Sequence, residues 1–200
     1  MIELYLFIHP LNKTSYQIEK KILELIQVNS QTINLQILPL VNLATNQAML
    51  AKQQPRWCHI EPHFFHYAHE IALDFKAAQL QGKRYARHLL LQIQEALFFQ
   101  GLPYTSELVT NLFAQSGGDV AGFQEDRQSQ LVKDLFWQDQ QVAREFKVTQ
   151  PNTLIAYDFN QEEAGCLLTE NELLPNLHAL NDYLFNHQLT HLALYRSETS

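Results

Sequence analysis

The opening run Ile2–Ile8 constrains the fold more than any other stretch of the chain. Ile2, Leu4, Tyr5, Leu6, Phe7 and Ile8 are apolar, and only Glu3 breaks them. A strand without alternation is covered on both faces, which places it inside a sheet flanked by helices. Pro10 ends the run, and the side-chain oxygen of Asn12 can cap a following helix. Ile18, Ile22, Leu25 and Ile26 then keep helical spacing over 14–28. After Asn29-Ser30, Ile33, Leu35 and Ile37 alternate with polar residues up to Pro39, which reads as a second strand. Strand, helix and strand joined by short links make a parallel βαβ unit.

The next hundred residues hold no convincing strand. Pro62 suits a helix's first turn, and Phe64, Ala68, Ile71, Ala72 and Phe75 repeat with helical period up to Gly82. A second helix follows through Leu89, Leu90, Ile93 and Leu97, stopping at Gly101 and Pro103. Thr105 or Ser106 caps a third, closed by Gly117-Gly118, and Asp119 opens a short fourth. Leu131, Val132, Leu135, Phe136, Val142, Ala143 and Phe146 mark a long last helix. Beyond it the period changes. Thr153–Tyr157 and Cys166–Leu168 read as a β-hairpin across the polar turn 160–165. Leu173, Leu174, Leu177, Leu180 and Leu184 face one side of a closing helix, with Thr169 or Asn171 as its cap.

Composition excludes several function classes. With 46% hydrophobic and 18% charged residues in 200, the chain is a globular protein rather than a disordered one. Its net charge of −7 argues against nucleic acid as partner, because phosphate contacts need a basic face. No apolar run approaches the roughly 20 residues of a membrane span. The N-terminus MIELYLFIHP lacks a basic segment and a small-residue cleavage site, so a cytoplasmic protein is expected. In that compartment Cys58 and Cys166 are free thiols rather than a disulfide.

The order of elements is that of a thioredoxin-like α/β fold with a large all-helical insertion. It divides the chain into a thioredoxin-like part, 1–45 and 148–200, and an inserted helical domain, 46–147. The residues Ile2–Pro10 leading into Asn12-Lys13-Thr14-Ser15, then Leu38-Pro39-Leu40-Val41-Asn42, carry a more specific likeness. So do the stretch from Asp74 to Lys83, Phe123-Gln124-Glu125-Asp126, and Val142-Ala143-Arg144-Glu145-Phe146 ahead of Pro151. In these the chain resembles the DsbA family. The likeness extends to its predicted dithiol-disulfide isomerases and to the DsbA-like part of the SpxH/YjbH-type adaptor that presents the regulator Spx to the ClpXP protease. The resemblance implies that Gln150–Pro151 is a cis bond whose preceding residue offers its backbone to an extended peptide. Read without the resemblance, Pro151 is a trans proline entering a strand.

The family's chemistry resides in a Cys-x-x-Cys at the start of the first helix, where the helix dipole favours a thiolate. Asn12-Lys13-Thr14-Ser15 stand there instead. Neither an amide nor an unactivated hydroxyl attacks a disulfide. No catalytic residue is therefore assigned, and no cofactor or metal is expected. Asn12, Lys13, Thr14, Ser15, Gln150 and Pro151 form the candidate surface for a protein or peptide partner, an Spx-like regulator being the one the resemblance implies. Two alternatives stay open. One is an oxidoreductase or isomerase working through Cys58 (beside His59), Cys166 or glutathione. The other is an enzyme like the kappa-class glutathione transferases and hydroxychromene isomerases, whose serine matches Asn12 rather than Ser15. The histidines His59, His63, His66 and His69 with Glu70 are read as surface groups on an aromatic-rich helix. The basic group Lys83, Arg84, Arg87 and His88 is read as a solvated face, as are Asp158, Glu162, Glu163, Glu170 and Glu172 around the hairpin.

Overall fold

The computed structural model describes residues 2–28, 33–52, 63–158, 165–173, 175 and 194–195. In chain order they form β1 (Ile2–Ile8), α1 (Lys13–Val28), β2 (Ile33–Pro39), α2 (Leu43–Lys52), α3 (Phe64–Leu80), α4 (Lys83–Phe98) and α5 (Ser106–Gln115). Then follow α6 (Val120–Gln128), α7 (Gln130–Glu145), β3 (Thr153–Asp158), β4 (Gly165–Leu168), α8 (Glu170–Leu173) and β5 (Leu194–Tyr195). The strands make one sheet of order β2-β1-β3-β4-β5. β1 runs parallel to β2 and antiparallel to β3, and the hairpin β3–β4 continues antiparallel to β5. The βαβ unit and the hairpin thus share a sheet, with the helices α2–α7 between them in sequence.

β1 is bonded along both edges and packed on both faces, which accounts for its unbroken apolar sequence. Ile2, Leu4, Leu6 and Ile8 join Ile18 and Ile22 of α1 and the inner faces of α3 and α4. Phe7 joins Leu38, Ile155, Ala143 and Val148 on the opposite side. The first of these cores runs without a break from the sheet to Phe113 and Phe123. The edge strand β2 is shielded by side chains: Arg87 donates to the Leu35 carbonyl (3.0 Å) and Gln140 to that of Pro39 (2.7 Å). Lys83 reaches Asn34 Oδ1 (2.7 Å). This part of the basic face is therefore engaged with the sheet, guarding an edge that would otherwise accept a foreign strand.

The caps are largely those the sequence announces. Asn12 Oδ1 accepts from Thr14 N–H (2.8 Å), Thr105 from Leu108 and Asp119 from Ala121 and Gly122. Ser129 caps α7 in the same way. The periodicity announces no helix over Leu43–Lys52; one forms because Asn42 and Thr45 cap each other reciprocally at 3.0 Å. Thr169 starts α8, its N–H and hydroxyl both donating to Glu172 (2.9 and 2.8 Å). Glu172 thereby caps the start of α8 while staying in contact with solvent. The expected helix beyond Leu173 and the turn 160–164 lie outside the described residues.

From Ile71 to Ala78 every residue of α3 is buried, charged ones included. Each charge has a partner on another helix. Asp74 pairs with Arg127 of α6 and accepts from Tyr104 (2.6 Å), while Lys76 pairs with Asp139 of α7. Burial outweighs these partners, pushing Asp74 and Asp139 both up to about 6. Gly118 meets a different limit, since a Cβ there would lie 2.4 Å from the Phe113 ring, itself stacked on Phe123 at 4.2 Å.

Two stability measurements follow from this packing. Arg127→Met strands the Asp74 carboxyl and is expected to cost about 3 kcal/mol near neutral pH, most of it recovered in Asp74→Asn/Arg127→Met. Urea midpoints report both, and a silent Arg127→Met contradicts the pairing. Gly118→Ala is expected to lose about 1–3 kcal/mol by forcing the Phe113 ring aside; a thermal midpoint unchanged from the parent rules that contact out.

Candidate functional site

The site forms where β1 hands the chain to α1. His9 to Asn12 make a tight turn, Asn12 N–H donating to the His9 carbonyl (2.9 Å). His9 is fully buried and stacks on Phe64 with centroids 5.6 Å apart. Its Nδ1 accepts from Leu11 N–H (3.2 Å), so Nε2 carries the proton and donates to Asn46 Oδ1 (2.8 Å). Burial pushes its pKa down to about 4, opposed by the Asn46 bond. At neutral pH it is an uncharged imidazole with both nitrogens engaged.

The residues read from the sequence divide by exposure. Asn12 is buried and spends its carboxamide oxygen on the helix cap. Lys13 is exposed and holds its ammonium 4.5 Å from the centre of the Phe99 ring, itself 53% exposed. Thr14 is half-buried. Ser15 is fully buried: its Oγ accepts from His9 N–H (3.1 Å) and donates to Asn152 Oδ1 (2.6 Å). That bond brings the 12–15 and 149–152 segments together. A hydroxyl whose proton rests on an amide oxygen, with no free base bonded to it among the described residues, is a poor nucleophile.

The Gln150–Pro151 bond is trans, and the expected cis bond is corrected accordingly. The chain turns instead at Asn152, whose φ of 62° lies in the left-handed region that asparagine tolerates. Three contacts hold Asn152 there: its N–H on the Phe7 carbonyl (2.7 Å), its Oδ1 on Ser15, and its Nδ2 on Glu170 Oε2 (2.7 Å). Glu170, half-buried, joins the site through this hydrogen bond. Gln150 is exposed while Pro151 is buried, and the Gln150 carbonyl accepts from the Thr153 hydroxyl (2.9 Å). His9, Asn152, Asn46 and Glu170 are the members that sequence reasoning passed over. Asn152 alone had a local signal, an asparagine directly after a proline.

The other candidates do not converge. Cys58 and His59 lie outside the described residues, and Cys166 belongs to β4, in register with Ala156 and Leu194. His63 and His66 lie beside Tyr67, and His69 beside Phe136. Among the described residues no three His, Cys, Asp or Glu side chains are placed to hold a metal. No described helix is long and apolar enough to cross a membrane.

Comparison with known proteins agrees with this fold. A family model described as thioredoxin matches residues 5–178. The ClpXP adapter protein SpxH of Staphylococcus epidermidis is 30% identical over 95 residues, 48% of this chain and 36% of that protein. Its Bacillus subtilis counterpart is 33% identical over 95 residues, 47% and 32% of the respective lengths. The match thus spans about a third of the curated relatives. The cytosolic disulfide reductase DsbM from Pseudomonas aeruginosa superposes with a TM-score of 0.68 at 12% identity, covering 91% of this chain and 96% of the other. The oxidoreductase DsbA from Xylella fastidiosa gives 0.61 at 12% identity, covering 90% and 84%. At such identity the superpositions speak for the fold, which is thioredoxin-like and of the DsbA type. The chain belongs to the thioredoxin family.

Proposed function

We propose that this protein is a binding member of its family: an adaptor of the ClpXP type, working in the cytoplasm and engaging an Spx-like regulator through the 12–15 and 149–152 segments. The observation that supports this most is the state of Ser15. It stands where the family places a thiol, yet its hydroxyl is buried and committed to Asn152 and the His9 backbone. Lys13, Phe99 and Gln150 remain exposed around it, so the surface offers contacts where it lacks a reactive group. In this reading 1–45 and 148–200 carry the partner-facing sheet and 46–147 is the inserted helical domain. The SpxH relatives support the adaptor role over the part of the chain they match.

Reconstituted degradation tests the proposal. Added to ClpXP and an Spx-type regulator, the protein is expected to accelerate proteolysis several-fold, and Lys13→Glu with Gln150→Ala to lose most of that gain. Proteolysis at the basal rate, with no binding of the regulator, overturns the assignment. Insulin reduction is expected to stay at background; turnover that vanishes in Cys58→Ser/Cys166→Ser would establish the oxidoreductase alternative. Ser15→Ala is expected to cost about 2–4 kcal/mol in urea denaturation, because it leaves His9 N–H and Asn152 Oδ1 buried and unpaired. A substitution without effect on stability would mean that Ser15 is not a structural hydroxyl.

A further inference from the structure

Glu19 lies one turn below Ser15 on α1 and is fully buried. Gln94 of α4, equally buried, donates through Nε2 to Glu19 Oε1 (3.2 Å) and to the Pro10 carbonyl (3.3 Å). One amide thus ties both the turn before α1 and the body of α1 to α4. Glu19 Oε2 and Gln94 Oε1 have no hydrogen-bond partner. A carboxylate here would be a buried charge supported by a single hydrogen bond, which is expensive. A proton removes the charge and turns one unmet acceptor into a donor.

The surrounding charges do not relieve this. α4 carries Lys83, Arg84, Arg87, His88 and Glu95, and α1 itself carries Lys13, Lys20, Lys21 and Glu24. Among the described residues none of these makes an ion pair with Glu19; burial raises its pKa, the Gln94 bond lowers it, and the net result is about 8. Asp74 and Asp139, by contrast, each face a cation.

We infer that Glu19 is a proton-dependent lock on α1: the carboxylic acid lets α1 dock against α4, and its ionisation favours arrangements in which the start of α1, with Asn12 to Ser15, comes away from α4. The inference concerns how the candidate surface is held and does not depend on what it binds.

The sign of the linkage is definite. Between 4.5 and about 8 the unfolded chain releases this proton while the folded one keeps it, so stability falls as pH rises. Asp74 and Asp139 act in the same direction, but only between 3.8 and about 6. His9, neutral in the fold, acts in the opposite direction between about 4 and 6.5. From 6.5 to 8, Glu19 is the group among the described residues whose displaced titration governs stability.

Urea denaturation of the whole chain at pH 6.5 and pH 8 is the test. The folding constant of the parent is expected to drop about 15-fold across that interval, and that of Glu19→Gln less than about threefold. Over the same interval, amide exchange in α1, corrected for intrinsic rates, should quicken in the parent and not in the variant. Equal pH slopes, or α1 exchange that quickens equally in both, overturn the inference. Should Glu19→Gln fail to fold, the side-chain carboxyl carbon resonance of Glu19 in the parent decides: a midpoint near 8 supports the lock, one near 4.5 refutes it.

Discussion

The hydrogen bond from Ser15 to Asn152 closes the fold across 137 residues of sequence. On one side stands the βαβ unit, on the other the hairpin, and each alone is an incomplete sheet. Backbone pairing of β1 with β3 runs from Ile2 to Phe7 and then stops. Beyond Phe7 the two segments diverge, β1 into α1 and β3 back toward α7. At that fork buried backbone groups lose their ladder partners and must find others. Asn152 N–H takes the Phe7 carbonyl, Ser15 Oγ takes His9 N–H, and the 2.6 Å bond between the two side chains joins the branches. A buried hydroxyl with both roles filled stabilises this fork, and the same commitment deprives it of reactivity.

The helical part obeys the same rule with ionised groups. α3 is surrounded by its neighbours, so a charge on it is tolerated only against a counter-charge from another helix. Asp74 and Lys76 meet that condition through Arg127 and Asp139, which also fixes the positions of α6 and α7. Replacing such pairs by apolar residues is often neutral, so their contribution lies in specifying which helix packs where. Glu19 breaks the rule. It has a neutral partner and an unpaired oxygen, and neutralisation is the remaining way to reconcile it with a packed interior.

Much of this was legible in the sequence. The unbroken apolar β1, the alternating β2, the long helical stretch and the closing hairpin each follow from periodicity, and their order specifies the fold. Caps were readable because they are local: Asn12, Thr105 and Asp119 precede the helices they serve. α2 was not, since Leu43–Lys52 has little apolar periodicity and owes its start to the reciprocal Asn42–Thr45 pair. The site was half legible. Its two segments follow from their places in the fold, but their contact depends on Asn152, whose left-handed backbone does the turning that a cis proline was expected to do. His9, Asn46 and Glu170 enter through contacts 18 to 37 residues away in the chain, which no local pattern encodes.

The Ser15 hydroxyl makes demands on its surroundings that a thiol at this position would not. A thiol is a weak hydrogen-bond partner and tolerates a loosely satisfied site, whereas a buried hydroxyl demands a donor and an acceptor. Meeting that demand draws in Asn152, and through Asn152 the Glu170 carboxylate, so three elements become fixed around the start of α1. The helix end keeps its position and its exposed rim of Lys13 and Phe99, but its polar atoms face inward. A surface with a rigid interior and an exposed rim loses little entropy on binding. The hydrogen bonds that bury the Ser15 hydroxyl thus coexist with an exposed rim at the same helix end.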